Sequence, residues 1–212
     1  MKIIGMLIIV LSFATTCMAQ TSNTTHHVTA FKDYEPAIVT LTNGKVIKVN
    51  QANIFLKKST LIYKGINGKP MEAFIDNIKC VDFKTAHYDK LDTLLACRID
   101  TLGKITLYRI TQIDVDALRG QIINSRSMTN IDFGDNMLST QVLDSNADDQ
   151  EYPISNNFYY LIKGKLVQAN DHTIDRFIQK DKRQIYNAII NTPDFSWSDN
   201  ESLIKLLKVL KQ

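Results

Sequence analysis

This chain of 212 residues lacks the residue spacings that carry familiar chemistry. Its three cysteines, Cys17, Cys80 and Cys97, form no C-x-x-C. Its four histidines, His26, His27, His87 and His172, form no H-E-x-x-H. Neither a zinc knuckle nor a zincin helix is therefore written in it. There is no G-x-S-x-G elbow. The tetrapeptide Asp132-Phe133-Gly134-Asp135 echoes a kinase metal-binding tripeptide without the catalytic or glycine-rich loops that give it meaning. The acidic run from Asp144 has Asp149 where a calcium loop needs glycine and Ser155 where it needs glutamate. With 25 basic and 22 acidic residues the net charge is only +3, too little for a nucleic-acid footprint. Past the first twenty positions no run approaches the ~18 apolar residues of a membrane-spanning helix. These absences leave no template for a catalytic residue, a cofactor or a metal.

The amino terminus, MKIIGMLIIVLSFATTCMAQ, is informative. One lysine precedes an apolar run from Ile3 to Val10, extended through Leu11 and Phe13, and small residues follow. That order is expected of a secretory signal over residues 1–19, cleaved after Ala19 to leave Gln20. Lipidation of Cys17 is the competing exit, although Thr16 stands where a lipobox wants Gly, Ala or Ser. Removing Lys2 leaves 24 basic and 22 acidic residues. Export to a periplasm or envelope makes a disulfide between Cys80 and Cys97 a candidate, the alternative being two small buried thiols. A hairpin of residues 78–83 with 93–100 would set the two opposite each other, ~4.5–5.5 Å apart at Cβ against the ~3.5–4.5 Å a bridge prefers.

Residues 20–36 are polar and read as a flexible lead-in. From Ala37 to residue 126, short runs rich in Val, Ile, Thr, Tyr and Phe alternate with turn residues, the texture of a β-meander body. Four of the eight glycines sit in a Gly-Lys pair, at Gly44, Gly68, Gly103 and Gly164. None has the glycine five positions earlier or the Ser/Thr afterwards that a phosphate-binding loop requires. Each instead lies between two strand-like runs: AIVTLT and KVIKV, TLIYK and MEAFI, TLLACRID and KITLYRI, FYYLI and LVQA. They are expected as hairpin turns that need positive φ.

Residues 127–156 contain six acids and no base and read as an acidic linker. The tail, 157–212, opens on the last hairpin and then changes period from two to 3.6. Ile174, Phe177 and Ile178 form one stripe, Ile185, Ala188 and Ile189 a second, and Leu203, Leu206, Leu207 and Leu210 a third behind a Ser198–Glu201 capping box. Tyr159, Tyr160 and Trp197 are the candidate ligand or partner contacts, because an exposed aromatic strip binds sugar or peptide. From Asn157 to Leu210, the aromatic strand, KGKLV, IDRFIQKDKRQIYNAII, a polar break and NESLIKLLKVL together resemble the C-terminal segment of small uncharacterised secreted proteins of Bacteroidota. That resemblance implies export, maturation at an N-terminal Gln and a β-then-helix layout; it implies no activity.

The expected fold is α+β: an antiparallel meander of hairpins, curled or partly closed, followed by a C-terminal hairpin and two or three helices that cover a sheet face. The expected function is non-catalytic binding or scaffolding of another envelope component, a protein or a glycan, with no nucleic acid and no transmembrane span after signal removal. A hydrolase of glycan or peptide is the alternative, and it requires Asp100, Asp114, Asp116 or His87 to converge in one pocket. A pure assembly subunit is the third reading, and it requires a large exposed apolar patch.

Overall fold

The computed structural model describes residues 23–124 and 151–210. The expected signal and residues 127–150 of the expected linker lie outside the described residues. The fold is α+β. Its sheet is antiparallel and curls into a half-barrel. β1 is Thr24–Thr25, β2 Glu35–Leu41, β3 Val46–Phe55, β4 Thr60–Lys64, β5 Pro70–Glu72, β6 Ile78–Phe83, β7 His87–Leu91, β8 Leu94–Leu102, β9 Ile105–Ile113, β10 Tyr152–Ile162 and β11 Lys165–Gln168. The spatial order is β5-β4-β3-β2-β6-β7-β8-β9-β10, and β1 and β11 both pair with β10. All four Gly-Lys turns close hairpins as expected, with glycine φ between +65° and +83°.

Two expectations about the body need correction. The stretch HYDKL, too polar to read as a strand, is β7, and it stands between β6 and β8. Cys80 therefore faces Asp89 and Cys97 faces Tyr88. The two cysteines are a strand apart and both thiols are free. The second correction is α1, Val115–Asn124, which sits inside the stretch read as all-β. Its Asp114 side chain accepts from Ala117 N–H at 2.9 Å, as an N-cap does, and Leu118 is buried among Val28, Leu56, Ile113 and Tyr152. The first residues of β10, Tyr152–Asn156, lie in what reads as linker; Tyr152 and Pro153 pair with β1, and Ile154 to Asn156 pair with the end of β9.

The tail covers one sheet face. α2 is a single turn, Asp171–Ile174, capped by Asn170; α3 is Arg183–Ile190; α4 is Asn200–Leu210. Leu203, Leu206, Leu207 and Leu210 of α4 bury against Leu107, Phe158, Tyr160 and Ile162, as the leucine stripe requires. Burial of each is worth ~1.5–3 kcal/mol, which is what holds an 11-residue helix too short to stand alone. Its cap is Asp199, not Ser198: Asp199 Oδ2 accepts from Ser202 N–H at 2.8 Å. Trp197 packs at this junction, edge-on to Phe195 with ring centroids 5.0 Å apart.

The polar lead-in is not loose over its described part. β1 pairs with the start of β10, and then residues 28–30 pair with the end of β3 through Ala30 N–H to Ile54 O and Leu56 N–H to Val28 O, both 2.9 Å. Residues 23–33 thus form a strap from one side of the half-barrel to the other. The curl brings further ends together: Ile113 N–H donates to Leu56 O at 3.1 Å, and Leu95 N–H donates to Ser59 O at 2.8 Å. One side chain ties the strap down. Asn53 is 0% exposed. Its Oδ1 accepts from Phe31 N–H (3.1 Å) and Ile54 N–H (2.8 Å), and its Nδ2 donates to Phe31 O (2.8 Å) and Asp33 O (3.1 Å). The amide replaces ladder bonds where the chain bulges away from β3.

Asn53→Ala removes four hydrogen bonds made by a fully buried amide and leaves the Phe31 and Ile54 N–H groups without that acceptor, at an expected cost of about 2–4 kcal/mol. Equilibrium unfolding in urea measures this. An unchanged midpoint and slope would mean the strap is not held by this amide.

Candidate functional site

Along β9 the residues Ile105, Leu107, Arg109, Thr111 and Ile113 share one face, because strand side chains alternate. The apolar ends of this row belong to two separate cores, Ile105 and Leu107 under α4 and Ile113 under the strap. Between them the row is polar. Register sets Arg109 opposite Cys97 on β8, Cys97 opposite Tyr88 on β7, and Thr111 opposite Asn156 on β10. Cross-strand neighbours on one face touch, so Tyr88, Cys97, Arg109, Thr111 and Asn156 form one polar band across four strands.

This band is the floor of a cavity of about 630 Å3, within the range of small-molecule sites. The strap supplies Thr29 and Phe31 to its walls, β3 supplies Ile54 followed by Leu56, and the N-terminal turn of α4 supplies Asn200. Among the described residues, no Asp, Glu or Lys lines it.

The electrostatics of the floor are unbalanced. No carboxylate of the described residues lies within ion-pair distance of Arg109. Its Nε is buried and has no hydrogen-bond partner; the guanidinium touches the neutral sulfur of Cys97. A buried donor without an acceptor, on a charged group, is costly. The Oδ1 of Asn200 is likewise buried and unpartnered. Burial pushes the Cys97 thiol above its ordinary value, and the opposing pull of Arg109 and of the Tyr88 hydroxyl does not overcome it. Cys97 is a protonated thiol at neutral pH rather than an activated nucleophile.

The neighbouring charges are already engaged. Asp89, on the opposite face of β7 from Tyr88, accepts from Arg98 Nε (2.9 Å) and Nη2 (2.6 Å) and from the Tyr108 hydroxyl (2.9 Å), and lies 3.1 Å from His87 Nε2. The other ring nitrogen of His87 meets Asp82. Burial acts to raise the Asp89 carboxyl, but the hydrogen bonds from Arg98, His87 and Tyr108 outweigh it and hold the group below the ordinary carboxylate range.

The residues singled out from sequence fall elsewhere. Tyr160 is fully buried, its hydroxyl donating to Leu203 O at 2.6 Å, so it is a core residue and not a ligand contact. Tyr159 points to the other face, beside the buried Ala96, Tyr108 and Ile110, and Trp197 packs under the tail; neither lines the cavity. The acids proposed for hydrolysis do not converge. Asp100 caps Thr101 N–H, Asp114 caps α1, and Asp116 pairs with Arg119 on the helix surface. His87 reaches the cavity wall with both nitrogens occupied. Among the described residues no three His, Cys, Asp or Glu side chains are placed to share a metal ion, and no helix is long and apolar enough to cross a membrane. Sequence reasoning missed Arg109, Thr111, Asn156 and Asn200. For Arg109 a signal exists: in KITLYRITQI it is the one charge in the alternating set Ile105, Leu107, Arg109, Thr111 and Ile113.

Two outcomes follow from this geometry. Arg109→Met removes an unpaired, half-buried charge and is expected to raise stability, by roughly 1 kcal/mol, in thermal or urea unfolding; a loss of stability would show that the charge has an internal partner. Asp89 has a folded pKa below its unfolded value of ~3.9, so its contribution is complete above that value and is lost as pH falls through the folded one. Asp89→Asn should lower stability at neutral pH and flatten the acid limb of the stability profile below about pH 4. A parallel offset of the two profiles down to pH 2 would contradict this.

Compared with models of protein families, with curated proteins and with solved structures, the chain matches none.

Proposed function

We propose that this is an exported, non-catalytic binding protein of the cell envelope that takes up a negatively charged group of another envelope component in the strap-covered cavity, with Arg109 as its counter-charge. The observation that carries the reading is the Arg109 guanidinium, set in the cavity floor without an acid and with an orphaned Nε. A folded chain keeps such a group, at a cost in stability, where a ligand completes it. The signal-like leader and the resemblance to secreted Bacteroidota proteins support export.

Hydrolysis by paired carboxylates finds no acid among the described residues of this lining, and the Cys97 thiol is held protonated. An assembly role would draw on other residues, Ile66, Met71 and Phe74, which are exposed around β5 at the sheet edge.

Native mass spectrometry of the protein isolated from the envelope fraction of its own cells tests the proposal. The expected result is a chain beginning at Gln20 with a bound anionic adduct that is absent from the Arg109→Gln variant. An identical adduct pattern in the variant, or recovery from the cytoplasm alone, would overturn it.

A further inference from the structure

The cavity's inventory of free groups is short enough to name the chemistry of its ligand, an inference that rests on the anion-binding reading above. Among the described residues, three basic side chains line it: His87, Arg98 and Arg109. Arg98 is locked on Asp89 by two hydrogen bonds, and both nitrogens of His87 face carboxylates. That leaves one positive charge, carried on a planar fork. A planar monoanion with two oxygens matches such a fork, whereas a phosphate dianion leaves a charge uncompensated.

Three of the six lining hydroxyls already donate within the fold: Ser59 to Leu95 O (2.7 Å), Thr29 to Phe31 O (2.8 Å) and Thr111 to Asn156 Oδ1 (2.6 Å). The buried Oδ1 of Asn200 has no hydrogen-bond partner, and a donor on the ligand would complete it. That donor is neutral, because no acid among the described lining residues would balance an ammonium. Phe31, Ile54, Leu56, Ile99 and Ile154 give the wall its apolar part.

We propose that the cavity binds the carboxylate end of an N-acylated apolar amino acid: the carboxylate on Arg109, the amide N–H toward Asn200 and the side chain against the apolar wall. A free N-acyl amino acid and the last residue of a peptide share this chemistry.

Isothermal titration with N-acetylated phenylalanine, leucine, isoleucine and valine tests the assignment. Controls are the corresponding C-terminal amides, 3-phenylpropionate, inorganic phosphate and a tetrapeptide ending in phenylalanine. At least one N-acetyl amino acid should bind, its amide roughly tenfold or more weakly, and Arg109→Gln should reduce the acid to the level of the amide. 3-Phenylpropionate, which lacks the N–H, should bind more weakly than N-acetylphenylalanine, and Asn200→Ala should erase that difference while leaving the melting temperature of the variant near that of the parent. Tighter binding of the tetrapeptide than of N-acetylphenylalanine supports a peptide C-terminus as the source; equal or weaker binding supports the free molecule. Amides that bind as well as acids would overturn the assignment. So would phosphate binding through Arg109 without any carboxylate binding, an outcome that leaves the anion-binding reading standing. Binding of no anion at all would sink both.

Discussion

Three hydrogen bonds from the buried amide of Asn53 hold the strap, and the cavity depends on the strap. A curled antiparallel sheet that does not close leaves a concave face open along its length. In this protein the two ends of that face are filled differently. At one end α4 lays its leucines over Leu107, Tyr160 and Ile162. At the other the strap brings Val28 against Phe55, Ile113 and Tyr152. Neither cover reaches the middle of the face, and the floor there is polar. The space is thus a consequence of two apolar cores that stop short of each other, with the N-terminal turn of α4 and the bulged part of the strap as its walls.

The charges around the cavity are unequally satisfied. Asp89, on the opposite face of β7 from Tyr88, gathers Arg98, Tyr108 and His87, and Asp82 takes the second nitrogen of His87, so the two cations that reach the cavity wall beside Arg109 are already engaged. Every cation there has its anion, so that network contributes to stability above its acid limb and offers nothing to a ligand. Arg109 has the neutral Cys97 sulfur and the Tyr88 phenol near it and no carboxylate of the described residues within ion-pair distance. The contrast between a satisfied cluster and an unsatisfied side chain one strand residue away is the physical basis for placing recognition at Arg109 rather than at the richer group of titratable residues.

Much of the sheet was legible because its signals are local. Gly44, Gly68, Gly103 and Gly164 mark turns whose backbone angle only glycine adopts readily, and the flanking runs alternate. The leucine stripe of α4 was legible for the same reason. β7 was not: HYDKL carries two charges, and its place in the sheet comes from pairing on both sides, which no local pattern reports. That miss put Cys80 and Cys97 in a false register. The strap was hidden more deeply. Residues 23–33 are mostly polar because much of what ties them down is backbone hydrogen bonding, and the residue that secures Phe31, Asn53, lies more than twenty positions away. The cavity floor was half visible, since Arg109 is the one charge in its alternating set, but Asn156 and Asn200 reach it only through tertiary packing.

The central claim is that Arg109 is an anion-binding group waiting for its partner. The most direct measurement is the side-chain Nε–H resonance of Arg109 in nitrogen-15 correlated spectra, assigned by its loss in Arg109→Gln, as acetate is titrated at constant ionic strength. A saturable shift of this signal, accompanied by slowed exchange of the Nε proton, is the predicted result. A signal that stays put while chloride and acetate are interchanged would contradict the account.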